Sequence, residues 1–376
     1  MDLTSLRTPC VLVDLDRVER NLERMQSAAT ARRLRLRPHA KTHKSIALAR
    51  EQIARGAVGI CCAKLGEAEV FAAAGIDDIR VPYPLHPANA DRVIELALRT
   101  RLSFIVDDLQ VAREWSQVLE PLGVNGGIDV LVKVDVGFHR CGIDPDRADA
   151  VEMIARIAEL PRLRLRGLLS HAGHAYGAAS ESEISAIAAA EARLLLDLAA
   201  RASTRGVGVE EISVGATPSA RFSLQQEGLT EIRPGNYIYY DRTQVGLGAA
   251  DWTDCALTVL TRVVSTPASD RIILDSGSKT LTNDLARGFA AAPGYGVVFA
   301  GLDAQAPDAA LIVERLSEEH ANVRVVDGPP RLRTGDLARI VPNHSCVVSN
   351  LVGRAWAVRG PEVIGDITID ARGLIT

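Results

Sequence analysis

Short apolar runs alternate with amphipathic segments through the first two thirds of the chain. Each run is separated from the next by a stretch rich in Ala, Leu, Glu and Arg, which has helical character. Successive runs start about 28 residues apart on average, which is the size of a βα unit. Several runs are apolar almost throughout, as parallel strands covered by helices are. The eight runs lie at residues 34–41, 59–65, 78–85, 102–108, 129–137, 163–173, 210–217 and 231–241.

This pattern predicts an α/β fold, a (β/α)8 TIM barrel over residues 15–250. An open doubly wound sheet is the competing architecture, but its G-x-G-x-x-G fingerprint is missing. After residue 250 the runs become turn-punctuated and show little helical periodicity, which predicts a second, mainly antiparallel β domain over 251–376. Residues 1–14 contain one more apolar run that could add a strand to this domain. The runs of the second domain lie at 256–265, 271–275, 296–299, 310–314, 323–326, 338–341 and 364–369.

The composition is that of an ordinary globular protein and excludes several classes. The 376 residues are 47% hydrophobic and carry a formal net charge of −4, without a block of like charges. Neither nucleic acid nor a membrane is therefore an expected partner. The N-terminus lacks the basic start and apolar core of a signal peptide. Six cysteines without a C-x-x-C pair favour the reducing cytoplasm.

Candidate chemistry begins at RPHAKTHK, residues 37–44, where the first predicted barrel strand ends. Functional groups of such barrels come from the carboxyl ends of the strands. A lysine that is partly desolvated there, beside other cationic groups, has a lowered pKa and can form a Schiff base. Lys41 is the candidate, and His39 would lie on the same face. A solvated basic turn is the alternative interpretation.

The loops after the last two predicted barrel strands carry a candidate phosphate site. Gly215 and Thr217 lie in one loop, and Gly235, Asn236 and Tyr237 lie in the other. Glycine lets the backbone approach a ligand closely, and barrels commonly bind phosphate at these two loops. Two ordinary βα turns are the alternative. A Schiff-base lysine and a phosphate cradle at one barrel mouth together indicate pyridoxal 5′-phosphate.

Further polar residues are expected around that cofactor. Arg140 could hydrogen-bond its phenolic oxygen, although a capping or ion-pair role is equally compatible with the sequence. Tyr176 is included among the predicted cofactor contacts. His171 and His174 end the sixth predicted strand and are the candidate acid–base residues. Either histidine could instead only position the cofactor.

A candidate metal site lies in PNHSC, residues 342–346. In an extended chain residues i and i+2 point to the same face, so His344 and Cys346 could bind one metal ion together. The ion would be divalent, zinc or manganese, and an imidazole with a thiolate favours zinc. A buried cysteine beside a hydrogen-bonded histidine is the alternative.

These motifs together resemble the fold-type III pyridoxal-phosphate enzymes that include D-threonine aldolase, D-serine dehydratase and the 3-hydroxyaspartate dehydratases and aldolases. The resemblance covers nearly the whole chain. It implies an alanine racemase-like barrel with a D-serine dehydratase-like second domain and a Schiff base on Lys41. It also implies a divalent metal on His344 and Cys346, a homodimer, and small D-amino acid substrates that bear a β-hydroxyl group. Its carriers are RPHAK (37–41), VDVG (134–137), RCG (140–142), SHAGH (170–174), RPGNY (233–237) and PNHSC (342–346).

Within this group the resemblance favours dehydration. The D-threonine aldolases place an aspartate where this chain has Cys346, whereas the dehydratases place a cysteine. The expected reaction converts D-serine or D-threo-3-hydroxyaspartate to a 2-oxo acid and ammonia. Retro-aldol cleavage to glycine and an aldehyde is the alternative. A non-catalytic carrier of pyridoxal phosphate is a further alternative, which the second domain argues against because a carrier does not need one.

Overall fold

The computed structural model describes residues 2–120, 127–290, 293–329 and 331–376, and two large sheets organise these ranges. None of the helices in them is long and apolar enough to span a bilayer. The elements up to the end of the parallel sheet are β1 (Cys10–Asp14), α1 (Leu15–Ala31), β2 (Arg35–Leu36), α2 (Ile46–Ala54), β3 (Ile60–Cys61), α3 (Leu65–Ala73), β4 (Asp78–Pro84), α4 (Ala90–Arg99), β5 (Arg101–Val106), α5 (Leu109–Leu119), β6 (Ile128–Lys133), α6 (Ala150–Ala158), β7 (Leu163–Leu169), α7 (Glu181–Ser203), β8 (Glu211–Val214), α8 (Ala220–Ser223), β9 (Glu231–Ile232) and α9 (Arg242–Gly246).

The elements that follow are mainly strands. They are β10 (Leu257–Ala268), β11 (Arg271–Leu274), α10 (Ser278–Leu281), β12 (Val297–Phe299), β13 (Leu311–Leu316), β14 (Ala321–Val325), β15 (Leu337–Val341), α11 (Ser345–Leu351), β16 (Arg354–Arg359) and β17 (Glu362–Thr368). Short 3-10 turns lie at Leu3–Ser5, Ala40–Thr42, Pro87–Asn89, Gly173–Gly177, Asn236–Ile238 and Trp252–Asp254.

The parallel sheet runs in the order β2-β9-β8-β7-β6-β5-β4-β3, with helices between successive strands. Its two ends meet, because the Cys61 N–H donates to the Pro38 carbonyl at 2.8 Å and the Val58 N–H donates to the Leu36 carbonyl at 2.9 Å. Parallel strands joined by helices and closed in this way form a (β/α)8 barrel. The predicted fold class is confirmed.

The first and last strands of the barrel are much shorter than the predicted runs 34–41 and 231–241. Both β2 and β9 contain two residues, and each is followed within a few residues by a 3-10 turn. Prolines at 38 and 234 have no N–H to donate, which limits regular ladder pairing beyond the strands. The predicted site residues of these runs therefore lie on turns at the carboxyl end of the barrel rather than on strands.

The second sheet is built around β10. It runs in the order β11-β14-β13-β12-β15-β10-β1-β16-β17, and β10 also pairs with β11, so that β10 to β15 close into a small barrel. Strand β1 lies between β10, to which it is antiparallel, and β16, to which it is parallel. Strand β16 was missing from the predicted runs. Its sequence begins Arg-Ala-Trp-Ala, and alanine has a low strand propensity.

A buried ion network lies inside the amino-terminal half of the parallel barrel. Arg80 on β4 pairs with Glu231 at the start of β9 and with Glu211 at the start of β8. Arg37 donates from Nε to Glu231 at 2.9 Å and also pairs with Asp78. The carboxyl-terminal half is left free of these charges, and the candidate site forms there.

Candidate active site

A cavity of about 730 Å³ opens at the carboxyl ends of the barrel strands. Its walls come from the barrel loops and from segments that follow β9, so both parts of the chain build it. The barrel loops contribute His39, Lys41, Thr42, Pro82, Lys133, Arg140, Leu169, His171, Tyr176, Gly215, Ala216, Thr217, Arg233, Gly235 and Asn236. The later segments contribute Asp241, Thr243, Gln244, Asn283, Asp284, Leu285, Ala286, Arg287, His344 and Cys346.

Most of the site residues predicted from the sequence line this cavity, and two do not. The phenol oxygen of Tyr237 accepts a hydrogen bond from Gln52 Nε2 at 3.0 Å, and its ring is buried in the core. His174 lies on the 3-10 turn after β7, and its ring lies over Gly137. The fold directs both side chains away from the cavity. Those that line it are Lys41, Arg140, His171, Tyr176, Gly215, Thr217, Gly235, Asn236, His344 and Cys346.

Lys41 lies on the 3-10 turn Ala40–Thr42, directly after β2. Its side chain lines the cavity and is accessible to solvent. Burial lowers the pKa of the Lys41 amine; the Cys346 thiolate opposes this effect, and the charge of Arg140 adds to it. An amine with a lowered pKa is more often neutral, so Lys41 can act as a nucleophile toward a carbonyl group.

The loops after β8 and β9 meet tightly beside Lys41. The Asn236 N–H donates to Thr217 Oγ1 at 3.0 Å, which ties one loop to the other. A Cβ atom placed on Gly215 would lie 2.8 Å from the backbone nitrogen of Arg233, closer than real side chains approach. A Cβ atom on Gly235 would lie 3.0 Å from Thr42 Oγ1 and 3.1 Å from the His39 carbonyl oxygen, beside the turn that carries Lys41. Gly215 needs glycine because backbone fills the space beside it.

Three cations converge on this end of the cavity. Lys133 ends β6 and is almost fully buried; burial, with the charge of Arg233, lowers its pKa to about 7. Arg140 lines the cavity, and Arg233 donates from Nε to Ser213 Oγ at 2.7 Å. Within the described ranges none of the three has a carboxylate within 4 Å, so this end suits an anionic group. Lys133 was missed in the sequence, where a lysine closing an apolar strand was the available signal.

His171 follows β7 and lies between Lys41 and the loop after β8. Its Nδ1–H donates to the carbonyl oxygen of Gly215 at 2.5 Å. Burial, with the charge of Lys41, holds the pKa of His171 well below its usual range, so the ring is neutral at physiological pH. A neutral imidazole that donates from Nδ1 keeps Nε2 as a proton acceptor.

The geometry of His344 and Cys346 differs from the extended segment that was predicted. His344 is the N-cap of α11, and Cys346 lies in the first turn of that helix. The two side chains nevertheless lie close enough for each to shift the pKa of the other. Burial lowers the pKa of His344, but the Cys346 thiolate outweighs it and raises the pKa to about 10. The imidazolium in turn lowers the pKa of Cys346 against the effect of burial.

Neighbouring side chains hold this pair as they hold metal ligands in known sites. Asp284 Oδ2 accepts from His344 Nδ1 at 2.9 Å, which leaves Nε2 for a ligand bond. Thr42 Oγ1 lies 3.2 Å from Cys346 Sγ, and Asn236 Nδ2 donates to the same sulfur at 3.4 Å. The described part of the chain brings no three His, Cys, Asp or Glu side chains together around a possible metal position. An imidazole and a thiolate fit a divalent ion such as zinc that keeps open positions.

The irregular segment Asn283–Arg287 was not predicted as part of the site. It lies between α10 and β12 and lines the cavity. Asp241 was also missed; it caps α9 and accepts hydrogen bonds from the backbone of Gln244 and Ser345, both at 3.0 Å. No sequence signal marks the segment Asn283–Arg287, because it has no periodicity and belongs to the other domain.

Comparisons with known proteins agree with this architecture. Residues 13–243 match the family model of the alanine racemase N-terminal domain, and residues 256–358 match the model described as "Putative serine dehydratase domain". The D-threonine aldolase of an Arthrobacter species is 33% identical and aligns with 99% of this chain and 94% of its own. The D-threo-3-hydroxyaspartate dehydratase of a Delftia species is 33% identical and aligns with 92% of both chains.

A solved structure shows the same fold. It is a cysteine-to-alanine variant of D-threo-3-hydroxyaspartate dehydratase in the metal-free form, and it superposes with a TM-score of 0.90 at 29% identity over 98% of each chain. The first family model alone matches more than half of the residues. The chain therefore belongs to the alanine racemase N-terminal domain family, as a member in which a serine dehydratase domain follows the barrel.

Proposed function

We propose that the protein is a lyase that depends on pyridoxal phosphate and a divalent metal, and that it dehydrates D-amino acids with a β-hydroxyl group. The single observation that carries the proposal is that Lys41 and the pair His344 and Cys346 face one cavity. The 3.2 Å contact between Thr42 Oγ1 and Cys346 Sγ joins the turn of Lys41 directly to the pair. The family implies the cofactor, and relatives named as dehydratases and an aldolase support the substrate class.

The residues around Lys41 fit pyridoxal phosphate. When bound, this cofactor supplies an electron sink for charge that develops at the α-carbon. Lys41 would hold it covalently through Nζ, and the loops around Gly215 and Asn236 would receive its phosphate. Lys133 and Arg140 would balance its negative charge, because no carboxylate of the described ranges neutralises them.

His344 and Cys346 would hold the divalent metal through Nε2 and Sγ. A metal there would act as a Lewis acid on the β-oxygen of the substrate. Asp284 fixes the orientation of the His344 ring, and Thr42 and Asn236 fix the sulfur. Two protein ligands would leave further positions of a divalent ion for substrate and water.

Proton transfer is assigned to side chains with suitable pKa values. The Lys41 amine, whose pKa is lowered by burial, would take the α-proton of the substrate. His171 can accept or return a second proton at Nε2. Loss of the α-proton and the β-hydroxyl group, followed by hydrolysis, gives a 2-oxo acid and ammonia.

Aldol cleavage is the second candidate reaction. The D-threonine aldolase of Arthrobacter aligns over 99% of this chain, which favours it, whereas the cysteine at 346 favours dehydration through the resemblance. Both reactions need the same Lys41 and the same metal pair. They differ in the bond that breaks, so the products distinguish them.

The test incubates the cofactor- and metal-loaded protein with D-serine, D-threonine and D-threo-3-hydroxyaspartate. We expect 2-oxo acid and ammonia in equal amounts, measured by a coupled dehydrogenase assay, with no glycine. Glycine plus an aldehyde would replace the dehydratase proposal with the aldolase. The absence of product from all three substrates would favour a non-catalytic carrier of pyridoxal phosphate. The match of the second domain to the serine dehydratase model argues against a carrier.

Two controls separate the cofactor from the metal. Lys41→Ala should abolish both the visible absorbance of the cofactor and turnover; a variant that kept turnover would remove Lys41 from the mechanism. Chelation should abolish turnover and leave the absorbance in place. If activity is indifferent to chelators, His344 and Cys346 have only a structural role.

The proposal includes a homodimer in the cytoplasm. All six cysteines are free thiols in the structure, which supports a reducing compartment. Light scattering on the loaded protein is expected to give twice the mass of the 40.3 kDa chain. A monomeric mass with full activity would refute the dimer alone.

A further inference from the structure

Arg287 lines the cavity, and the proposed chemistry does not use its guanidinium. Its backbone is held from two sides. The Arg287 N–H donates to Thr243 Oγ1 at 3.4 Å, and the Phe289 N–H donates to the Gly246 carbonyl at 3.0 Å. Both contacts join the segment to α9, so the position of Arg287 does not depend on its own side chain.

The charge of Arg287 is not committed to a protein carboxylate. In the ranges that the structure describes, no Asp or Glu oxygen lies within 4 Å of its guanidinium. Both carboxylates of the cavity lining have other partners. Asp284 accepts from His344 at 2.9 Å, and Asp241 accepts from the backbone of Ser345 at 3.0 Å. A guanidinium without an acidic partner is suited to a carboxylate of the ligand.

Arg287 lies on the side of the cavity that holds the candidate metal pair. Asp284, three residues earlier on the same segment, contacts His344 directly. The Asp284 carbonyl also accepts from Asn343 Nδ2 at 2.9 Å, which fixes the segment to the chain just before the pair. Lys133, Arg140 and the loop of Gly215 line the same cavity and are the residues proposed to hold the cofactor. A substituent on the β-carbon would therefore extend toward Arg287 when the β-oxygen faces the pair.

We propose that Arg287 is a specificity-determining residue that binds a second carboxylate, carried by the β-carbon of the substrate. The preferred substrate class is then the 3-hydroxy dicarboxylic D-amino acids, of which D-threo-3-hydroxyaspartate is the test compound. This inference rests on the proposed function, because it uses the placement of the β-oxygen. D-Serine, which has no second carboxylate, should be a poorer substrate.

The kinetic test compares Arg287→Gln with Arg287→Lys and with the control Arg271→Gln. Arg271 is an exposed arginine on β11 outside the cavity. We expect Arg287→Gln to lower kcat/KM for D-threo-3-hydroxyaspartate about 10- to 100-fold, the value of a charged hydrogen bond. Its kcat/KM for D-serine should stay within about twofold, as for an ordinary surface change. Arg287→Lys should recover part of the loss, and the control Arg271→Gln should leave kcat/KM unchanged for both substrates.

Binding of ligands that cannot eliminate separates recognition from chemistry. D-Aspartate and D-alanine lack the β-hydroxyl group, and calorimetry with the loaded protein measures their affinity. Arg287→Gln should weaken the binding of D-aspartate at least about tenfold and leave the affinity for D-alanine unchanged. An equal loss for both ligands would overturn the proposal, since Arg287 would then bind the α-carboxylate. Unchanged affinity for both would also overturn it. Failure of the proposed function looks different, because the wild-type protein would then turn over none of the three hydroxy amino acids.

Discussion

Glu231 is a buried acid of the barrel interior whose charge is expected to contribute strongly to stability. Its carboxylate is fully buried and accepts from Arg37 Nε at 2.9 Å and from Ser213 Oγ at 2.6 Å. It also pairs with Arg80. The change Glu231→Gln keeps the shape of the side chain, removes its charge and turns an accepting oxygen into a donating amide. Both arginines then lose part of their compensation inside the barrel.

The magnitude follows from the electrostatics of the site. Burial raises the pKa of Glu231, but Arg80 and Arg37 outweigh it and lower the pKa from 4.5 to about 2. That difference corresponds to about 3 kcal/mol of folding free energy. Breaking a buried ion pair by removing one partner costs about 3–5 kcal/mol by comparison with other proteins. For a chain of 376 residues this loss lowers the melting temperature by about 4–6 °C.

The sign of the pH dependence is fixed by the lowered pKa. The unfolded chain binds a proton at Glu231 near its ordinary pKa of 4.5, before the folded protein does. The stabilisation is therefore complete above about pH 5 and is lost as the pH falls toward 2. Between pH 7 and pH 3.5 the gap in melting temperature between wild type and Glu231→Gln should narrow by roughly two fifths.

The assay is thermal unfolding of the cofactor-free protein, followed by circular dichroism at both pH values. Glu210→Gln is the matched control, because Glu210 is exposed and its pair with Arg166 at 2.8 Å lies on the surface. The control should shift the melting temperature by less than about 1 °C. The electrostatic reasoning is refuted if Glu231→Gln melts within 1 °C of the wild type, or if the gap does not narrow in acid.

Three further predictions concern the cavity. Gly215→Ala places a Cβ atom 2.8 Å from Arg233 N and should lower the free energy of unfolding by about 1–3 kcal/mol. It should also weaken binding of the cofactor in an absorbance titration, and unchanged affinity would contradict this prediction. Lys133→Met should raise the melting temperature of the cofactor-free protein at pH 7, and should raise it less at pH 10. The pKa of Lys133 is about 7 in the folded protein and near 10.5 in the unfolded chain, so at pH 7 the lysine destabilises the fold. This destabilisation decreases as the pH approaches 10.5, where the unfolded lysine also loses its proton. Thr42→Val removes the contact with Cys346 Sγ and should weaken metal binding about tenfold, measured in competition with a chelator. Thr42→Ser should restore the affinity, and equal affinity in the wild type and both variants would show that Thr42 does not support the metal site.

Local sequence features predicted much of the fold and the principal site residues. The spacing of the apolar runs predicted the closed parallel barrel, because the length of a βα unit is a local property that does not depend on which side chains form the site. Lys41 was identifiable since it stands where the first run ends, and chemistry in a barrel gathers at such ends. His344 and Cys346 were identifiable as a pair of metal-binding residue types only two positions apart, although the extended geometry used to join them was wrong.

The tertiary structure decided which of these residues share a cavity and which others join them. Tyr237 and His174 neighbour site residues in sequence, yet a 3-10 turn rotates successive side chains in different directions, and both leave the cavity. Arg287 and Asp284 come from an irregular segment more than two hundred residues from Lys41, so no local sequence pattern could predict that they line the same cavity. Apolar periodicity is a property of the chain alone, and it determined the barrel. The charges around a cavity depend on which loops pack together, and only the folded chain fixes that.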